Sequence, residues 1–385
     1  MNDVKTKPIK IGLVLTGGGA RAAYQVGVLR AISDIIKVEK NPFAIITGLS
    51  AGAINGTWLA SRCENFDKVT KSMLDAWSSI TTDHIFSTDT ASFMRIALRW
   101  LKDRGFGGLR RYSQINYLLD TAPLNKFIRS HIDFDLLNMH LETNILYGFS
   151  IIAVDYNTGR STAFYYGSKE IKDWKKFNRI SLRTKIIPEY VLASSAIPIF
   201  FPPVRIENSF YGDGMVRMQA PLSPAIHMGS DKLLIIGGRS PRETAPLSKS
   251  RSDTITIGEI SGTILNGLFF DSLDADIDRM QRINRTLSVL TEDRIRQLPD
   301  NLRKIPILNI KPSVDLAKLS TGALYNMPYA MSYLLRGIGV SDYKGKDLLS
   351  FLCFESKYMS SLLELGYEDT LRKKDQVVDF FDTEL

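Results

Sequence analysis

The pentapeptide Gly48-Leu49-Ser50-Ala51-Gly52 constrains this chain more than any other stretch of it. It directly follows the apolar run Phe43-Ala44-Ile45-Ile46 and precedes Ala53-Ile54-Asn55-Gly56-Thr57-Trp58-Leu59-Ala60, which reads as a helix. A serine framed by glycines between a strand and a helix sits on a tight, strained turn, because the glycines let neighbouring backbone pass close by. Such a turn exposes the hydroxyl at the N-terminus of the next helix, where backbone N–H groups and the helix dipole favour developing negative charge. The expectation is a chain that hydrolyses or transfers acyl groups. Glycine–serine turns are common, so the weight of this reading rests on the strand before and the helix after.

The surrounding pattern supports that context. Ile9 to Leu15 is a β-rich run, broken by Gly17-Gly18-Gly19 and followed by a helical stretch from about Ala22 to Ile36. Ala44 to Thr47 predicts a second strand and Ala51 to Ser61 a second helix. Strand–helix–strand–helix with short links predicts an α/β fold with a mostly parallel central sheet covered by helices. Further strands are expected at Leu146 to Tyr156, at Ser161 to Tyr166 and, after a helix from Pro221 to Met228, at Lys232 to Ile236. Ser240 to Ser252, rich in Ser, Pro, Arg and Lys, reads as an exposed loop or linker. Beyond it Ile257, Ile260, Ile264, Leu268, Leu273, Ile277, Met280 and Ile283 recur at helical spacing. A short strand at Pro306 to Ile310 and helices around Tyr329 to Leu335 and Lys346 to Leu365 complete the pattern. The division expected is a catalytic α/β domain over residues 1–240 and a mainly helical C-terminal extension over 241–385, packed on or beside the core.

Composition narrows the setting. With 385 residues and 44% hydrophobic residues, the chain can bury a large core. Cys63 and Cys353, its two cysteines, are far apart, which argues against a disulfide framework or a cysteine metal site and fits a reducing compartment. Forty-nine basic residues against 41 acidic ones give a net charge of +8, which favours an anionic partner. Lys5, Lys7 and Lys10 precede Ile11-Gly12-Leu13-Val14-Leu15, but the apolar run stops at Thr16, so a buried first strand is expected rather than a secretory signal. No stretch reaches the ~20 apolar residues of a membrane span. The expectation is a soluble, cytoplasmic protein that meets the inner membrane face from the side. A basic amphipathic helix could make that contact, with Phe93, Ile96, Ala97, Trp100 and Leu101 on one face and Arg95, Arg99 and Lys102 on another, followed by Arg104, Arg110 and Arg111. A helix packed on the core with a solvated basic face is the competing reading. A second basic stretch, Lys169 to Lys185, is punctuated by Trp174 and Phe177. Nucleic acid is not expected, because no recognition fold accompanies these charges.

Three further elements bear on chemistry. Gly17-Gly18-Gly19-Ala20-Arg21-Ala22 lies between the first strand and the first helix, where successive glycines let N–H groups converge on an anion. In acyl transfer that anion is the oxyanion, and Arg21 adds a positive charge nearby. The same residues satisfy a dinucleotide fingerprint, but the second strand ends in Thr47-Gly48-Leu49-Ser50 rather than in the acidic residue such a site needs. Tyr211-Gly212-Asp213-Gly214 taken alone is an ordinary turn. It matters because Ser50 needs a base, and none of His84, His131, His140 and His227 lies in a recognisable motif. A Ser–Asp–His triad would use His227 after Asp213, although His227 falls inside an expected helix. Ala193-Ser194-Ser195-Ala196-Ile197-Pro198 taken alone is a helix end stopped by proline.

In this order the four elements resemble the patatin-like phospholipase family over about residues 9 to 240, with Leu362-Leu363-Glu364-Leu365-Gly366-Tyr367 similar to the tail of bacterial members. The resemblance implies a lipid acyl hydrolase acting on glycerophospholipids or related acyl esters through a serine–aspartate dyad. It makes Ser50 the nucleophile and Asp213 the general base, and it makes Gly17, Gly18, Gly19 and Arg21 the oxyanion hole. Gly48 and Gly52 frame the nucleophile elbow. It implies no cofactor and no metal, and leaves the oligomeric state open. The chain departs from the family pattern at Ala22 and Met215, where smaller residues are usual. A carboxylesterase using His227, and a lipid-binding scaffold without turnover, stand as alternatives.

Overall fold

Ile11–Leu15 (β1) is apolar and buried along its whole length, with no alternation between core and solvent. A strand of that kind needs helices on both faces of its sheet. The computed structural model, which describes residues 8–88, 117–240, 254–298 and 302–382, has that arrangement. Leu13, Leu15 and Ile46 point into one apolar cluster, whereas Val14, Ile45, Leu233 and Ile235 point into a second.

The chain runs β1, α1 (Ala23–Ile36), β2 (Ile45–Leu49), α2 (Ala51–Ala60), α3 (Phe66–Ser79), α4 (Ala122–His131), α5 (Phe134–Glu142), β3 (Gly148–Asp155) and β4 (Arg160–Gly167). There follow β5 (Lys175–Lys176), β6 (Arg179–Arg183), α6 (Pro188–Ser194), β7 (Val204–Ile206), β8 (Ser209–Asp213), α7 (Ser223–His227) and β9 (Lys232–Ile236). The remainder is α8 (Ile257–Asn266), α9 (Ser272–Ser288), α10 (Glu292–Arg296), β10 (Ile307–Ile310), α11 (Leu316–Leu319), α12 (Tyr329–Gly337), α13 (Lys346–Leu352), α14 (Ser356–Leu371) and α15 (Lys374–Asp382).

The sheet order is β10-β9-β1-β2-β3-β4-β6-β5. β10, β9, β1, β2 and β3 are mutually parallel, and β4 turns back antiparallel to β3. β8 also joins β3, antiparallel, at the last three residues of that strand. The fold is therefore mixed and mostly parallel, flanked by helices, as the alternation of strands and helices predicts.

Residues beyond 240 are woven into this core. β10 forms an edge of the main sheet, and α14 lies along α1. The two helices cross where a side chain on either would not fit. A Cβ on Gly27 would fall on the Leu363 carbonyl, and one on Gly366 on the Tyr24 carbonyl. Tyr24 also donates a hydrogen bond of 3.1 Å to Asp369 across that crossing.

The predicted helix around Lys346 to Leu365 is broken at Cys353, which is extended, into α13 and α14. The long helical stretch after Ile257 is one run interrupted by a π turn at Gly267–Asp271. No helix among the described residues is long and apolar enough to cross a membrane. The basic amphipathic stretch Phe93 to Lys102, Arg104, Arg110, Arg111 and the loop from 241 to 252 lie outside the described residues.

Candidate active site

β2 ends at Leu49 and α2 begins at Ala51, so Ser50 alone makes the turn between them. Its backbone sits at φ 53° and ψ −133°, a conformation that a residue with a Cβ adopts only under strain. The glycines explain how the turn closes. A Cβ on Gly52 would fall on the Leu15 carbonyl, and one on Gly48 on the Ala53 backbone. The elbow is thus pressed between β1 and its own helix.

The Ser50 hydroxyl donates to Asp213 Oδ2 at 2.6 Å. Both residues are buried, Ser50 at 1% exposure and Asp213 at 0%. The other carboxylate oxygen, Oδ1, accepts the Met215 N–H at 2.9 Å. Burial pushes the Asp213 carboxyl up to about 7, against the opposing pull of the hydrogen bonds from Ser50 and Met215. A carboxylate so raised is a better proton acceptor for a hydroxyl than an ordinary aspartate near ~3.9.

The Ala193-Ser194-Ser195-Ala196 segment holds both residues. Ser194 Oγ accepts the Ser50 N–H at 2.9 Å and donates to the Ile152 carbonyl at 2.6 Å. Ser195 Oγ donates to the Ser50 carbonyl at 3.1 Å. The Asp213 N–H donates to the Ala196 carbonyl at 3.0 Å. A helix end that signifies little in sequence is therefore a template that grips the serine from both sides and the aspartate from behind. The side-chain signal was present as two adjacent serines; the reason for them is visible only in three dimensions.

The glycine loop adjoins the serine. A Cβ on Gly17 would lie 2.7 Å from the Ser50 Cβ, and Gly19 lines the same cavity as Ser50. Gly18 precedes a 3-10 turn, Gly19–Ala22, that leads into α1. Ala22 is buried in the core, and Met215 is buried beside the aspartate it donates to.

Arg21, at 7% exposure, is engaged by the C-terminal helices. Its Nε donates to Ser350 Oγ at 2.8 Å, Nη1 to Asn266 Oδ1 at 3.1 Å and Nη2 to Asp347 Oδ1 at 3.1 Å. Its guanidinium carbon lies 4.1 Å from the ring centroid of Phe351. Asn266, Asp347 and Ser350 carry no sequence signal that links them to a loop more than 200 positions earlier.

His227 stacks on Trp174, ring centroids 5.3 Å apart at 12°. Burial, then the charges of Lys176, Arg179 and Arg303, hold its pKa below the usual histidine value. His140 is buried and bonded to Ala60 and Glu64, His131 packs on Trp58 and Phe127, and His84 caps a turn at Thr81. The hydrogen bond of the Ser50 hydroxyl goes directly to Asp213. Among the described residues no group of three or more His, Cys, Asp and Glu is arranged to hold a metal ion.

The cavity beside Ser50 is apolar. Ile54, Ile80, Ile85, Leu124, Phe127 and Phe354 line it, with Ser50, Ser195 and Gly19 as its polar end. The lining is therefore an apolar slot whose polar end is at the serine.

A mixed α/β sheet whose elbow serine meets a buried carboxylate, with no histidine between them, defines the kind of protein this is. The chain belongs to the patatin-like phospholipase family, whose model matches residues 13–226. Probable lipid hydrolase 463L of Invertebrate iridescent virus 6 is 27% identical over 223 residues, 57% of this chain and 64% of that protein. The chain spans less than two thirds of the length of the curated relatives it matches. Among solved structures, VipD from Legionella pneumophila aligns over 96% of this chain and 68% of its own, at 13% identity and a TM-score of 0.35. Human GIVD cytosolic phospholipase A2, in complex with methyl gamma-linolenyl fluorophosphonate, aligns over 97% of this chain and 59% of its own, at 11% identity and a TM-score of 0.39.

Proposed function

We propose that this protein is a lipid acyl hydrolase that cleaves fatty-acyl esters of glycerophospholipids or related lipids through Ser50 and Asp213. The observation that carries the reading is the 2.6 Å bond from the Ser50 hydroxyl to a fully buried aspartate at the mouth of an apolar cavity. Family membership supports the same reading.

The geometry supports the following steps. Asp213 Oδ2 takes the Ser50 proton as Oγ attacks the ester carbonyl. The oxyanion that forms is held by N–H groups of the Gly17–Gly19 loop and of the α2 N-terminus, with the acyl chain along Ile54, Leu124 and Phe127. Collapse expels the alcohol, which takes the proton from Asp213 and leaves an acyl-serine. Asp213 then accepts a proton from water, the hydroxide attacks the acyl carbon, and the fatty acid departs as the proton returns to Ser50. Arg21 enters as the anchor of the glycine loop, since its side-chain donors are committed to Ser350, Asn266 and Asp347. His227 has no part in this scheme. The site of action that fits the substrate is the membrane surface, met from the cytoplasm.

The test is hydrolysis of labelled phospholipid vesicles and of a short-chain soluble ester by wild type and Ser50→Ala. Turnover of both by wild type and of neither by Ser50→Ala is expected. No turnover by wild type on any acyl ester would favour a lipid-binding scaffold instead. A Leu124→Trp variant, which fills the apolar cavity, should shift preference toward shorter acyl chains while retaining the short-chain ester.

A further inference from the structure

The second basic stretch of the sequence folds into a hairpin. β5 and β6 pair antiparallel, with Lys176 opposite Arg179, and the tip is Phe177-Asn178. Phe177 is 95% exposed. The hairpin stands at the same end of the sheet as the candidate active site. Arg179 pairs with Ser161, Ser161 with Val154, and Val154 is the residue after Ala153, which pairs with Asp213.

An open cleft of about 420 Å³ lies behind the tip, bounded by Lys176, Phe177, Asn178, Arg179, Arg217 and Gln219. Arg217 comes four residues after Asp213 and ends the 3-10 turn that follows it. Among the described residues none of Lys176, Arg179 and Arg217 is in an ion pair. The carboxylate whose charge most favours Arg179, Asp276, is already bonded to the Leu222 N–H and to Arg279. Arg179 Nη1 and the Ser161 hydroxyl are both buried with no hydrogen-bond partner. Arg179 and Ser161 also line a smaller cavity next to the cleft. Buried donors are satisfied in nearly all folded proteins, so three cations without an ion pair, one of them Arg179 with its orphaned nitrogen, beside the orphaned Ser161 hydroxyl favour an anion here.

Lysines on an edge strand also prevent sheet-to-sheet aggregation, which would account for Lys175 and Lys176. That role explains neither an exposed phenylalanine at the tip nor an unpartnered buried nitrogen on Arg179. A bulky apolar side chain ringed by cations suits an interface whose surface is negative and whose interior is hydrocarbon.

We propose that the Lys175–Arg179 hairpin docks the protein on an anionic lipid surface, with lipid phosphate entering the cleft between Lys176, Arg179 and Arg217 and Phe177 entering the interface. The choice of a lipid as the source of the phosphate rests on the hydrolase reading above. Docking would place the sheet end that carries Ser50 and Asp213 toward the bilayer.

The experiment is vesicle sedimentation of the full chain carrying Ser50→Ala, so that binding is read without hydrolysis and stands apart from turnover by wild type. Strong binding to phosphatidylglycerol–phosphatidylcholine vesicles and weak binding to phosphatidylcholine alone are expected. Lys176→Glu with Arg217→Glu should weaken binding to the anionic vesicles at least about tenfold, given the attraction each basic residue contributes near such a surface. Phe177→Ser should weaken it less, and hydrolysis of a soluble ester by the same variants with Ser50 intact should be unchanged. Thermal unfolding at the parental temperature serves as the control for folding. Equal binding by the charge-reversed variant, or no preference for anionic vesicles, would overturn the proposal. Tight binding of inorganic phosphate that Lys176→Glu abolishes, with vesicle binding unaffected, would assign the cleft to a free phosphoanion and overturn the lipid source.

Discussion

Leu49 and Asp213 lie opposite consecutive residues of one strand: Leu49 pairs with Ile152, and Asp213 with Ala153. The other edge of β3 is filled by β4, so β2 and β8 share this edge and meet end to end along it. The residue that follows Leu49 is thereby brought against the last residue of β8. A hydrogen bond between side chains 163 positions apart is set by the register of a strand that contributes neither of them.

If the two act as one unit, their losses should not add. Ser50→Ala and Asp213→Asn should each lower kcat/KM for a short-chain ester by on the order of 10³-fold or more, and the double variant should be no worse. His227→Ala should retain most activity. A His227→Ala loss equal to that of Ser50→Ala, with circular dichroism unchanged, would restore the histidine triad.

The raised aspartate predicts a pH dependence with a definite sign. A base must be ionised to act, so the rate should climb as pH passes through about 7. Stability should run the other way. The folded state holds the Asp213 proton more tightly than the unfolded chain, whose aspartate titrates near ~3.9. That contribution is complete below the unfolded value and is lost as pH rises through about 7. Asp213→Asn has no charge to bury, so its Tm should gain on wild type as pH is raised from about 5 to about 8. Parallel unfolding curves at all pH values would mean that the carboxyl titrates normally.

The two serines of the template should differ. Removing the Ser194 hydroxyl leaves the Ser50 N–H without its acceptor in a buried turn, a loss of about 1–3 kcal/mol. The Ser50 carbonyl, by contrast, also accepts the Ala53 N–H at 2.8 Å, so Ser195→Ala leaves it satisfied. Ser194→Ala should therefore lower both kcat and the denaturant midpoint, and Ser195→Ala should change each far less. Equal effects would show that the template acts through packing alone.

Gly18 and Gly19 should separate as well. Gly19 has φ +54°, and a Cβ there would fall on the Phe351 carbonyl. Gly19→Ala should destabilise the fold by about 1–3 kcal/mol and impair hydrolysis. A Cβ on Gly18 would meet the Arg21 Cβ at 3.3 Å and the Ala22 nitrogen at 4.0 Å, so Gly18→Ala should fold with a midpoint near wild type. Arg21→Lys should keep the fold but lower kcat more than it raises KM, because an ammonium cannot span Ser350, Asn266 and Asp347 together.

Much of this was legible in the order of residues. The strand, elbow and helix around Ser50 and the alternation that builds the parallel sheet are local patterns, and they appear where local patterns predict them. Asp213 was legible only through family resemblance. Its own neighbourhood reads as a turn, and its place beside Ser50 depends on β8 pairing with β3, a long-range register that no nearby residue announces. Nor does the sequence reveal that the Arg21 side chain bonds to residues of helices α8 and α13. Those partners belong to amphipathic helices whose spacing reveals a buried face but not what that face will meet.

The anchoring of Arg21 by Asp347 and Ser350 carries a consequence for how the protein is made. Serine, aspartate and glycine loop all lie within residues 17–214, but Asp347 and Ser350, two of the residues that hold the loop, come more than 130 positions later. Between the synthesis of Asp213 and that of Asp347, a nascent chain therefore holds Ser50, Asp213 and the glycine loop while two partners of Arg21 are still missing. If the chain cuts lipids as proposed, this order of translation delays hydrolysis until α13 has docked on Arg21.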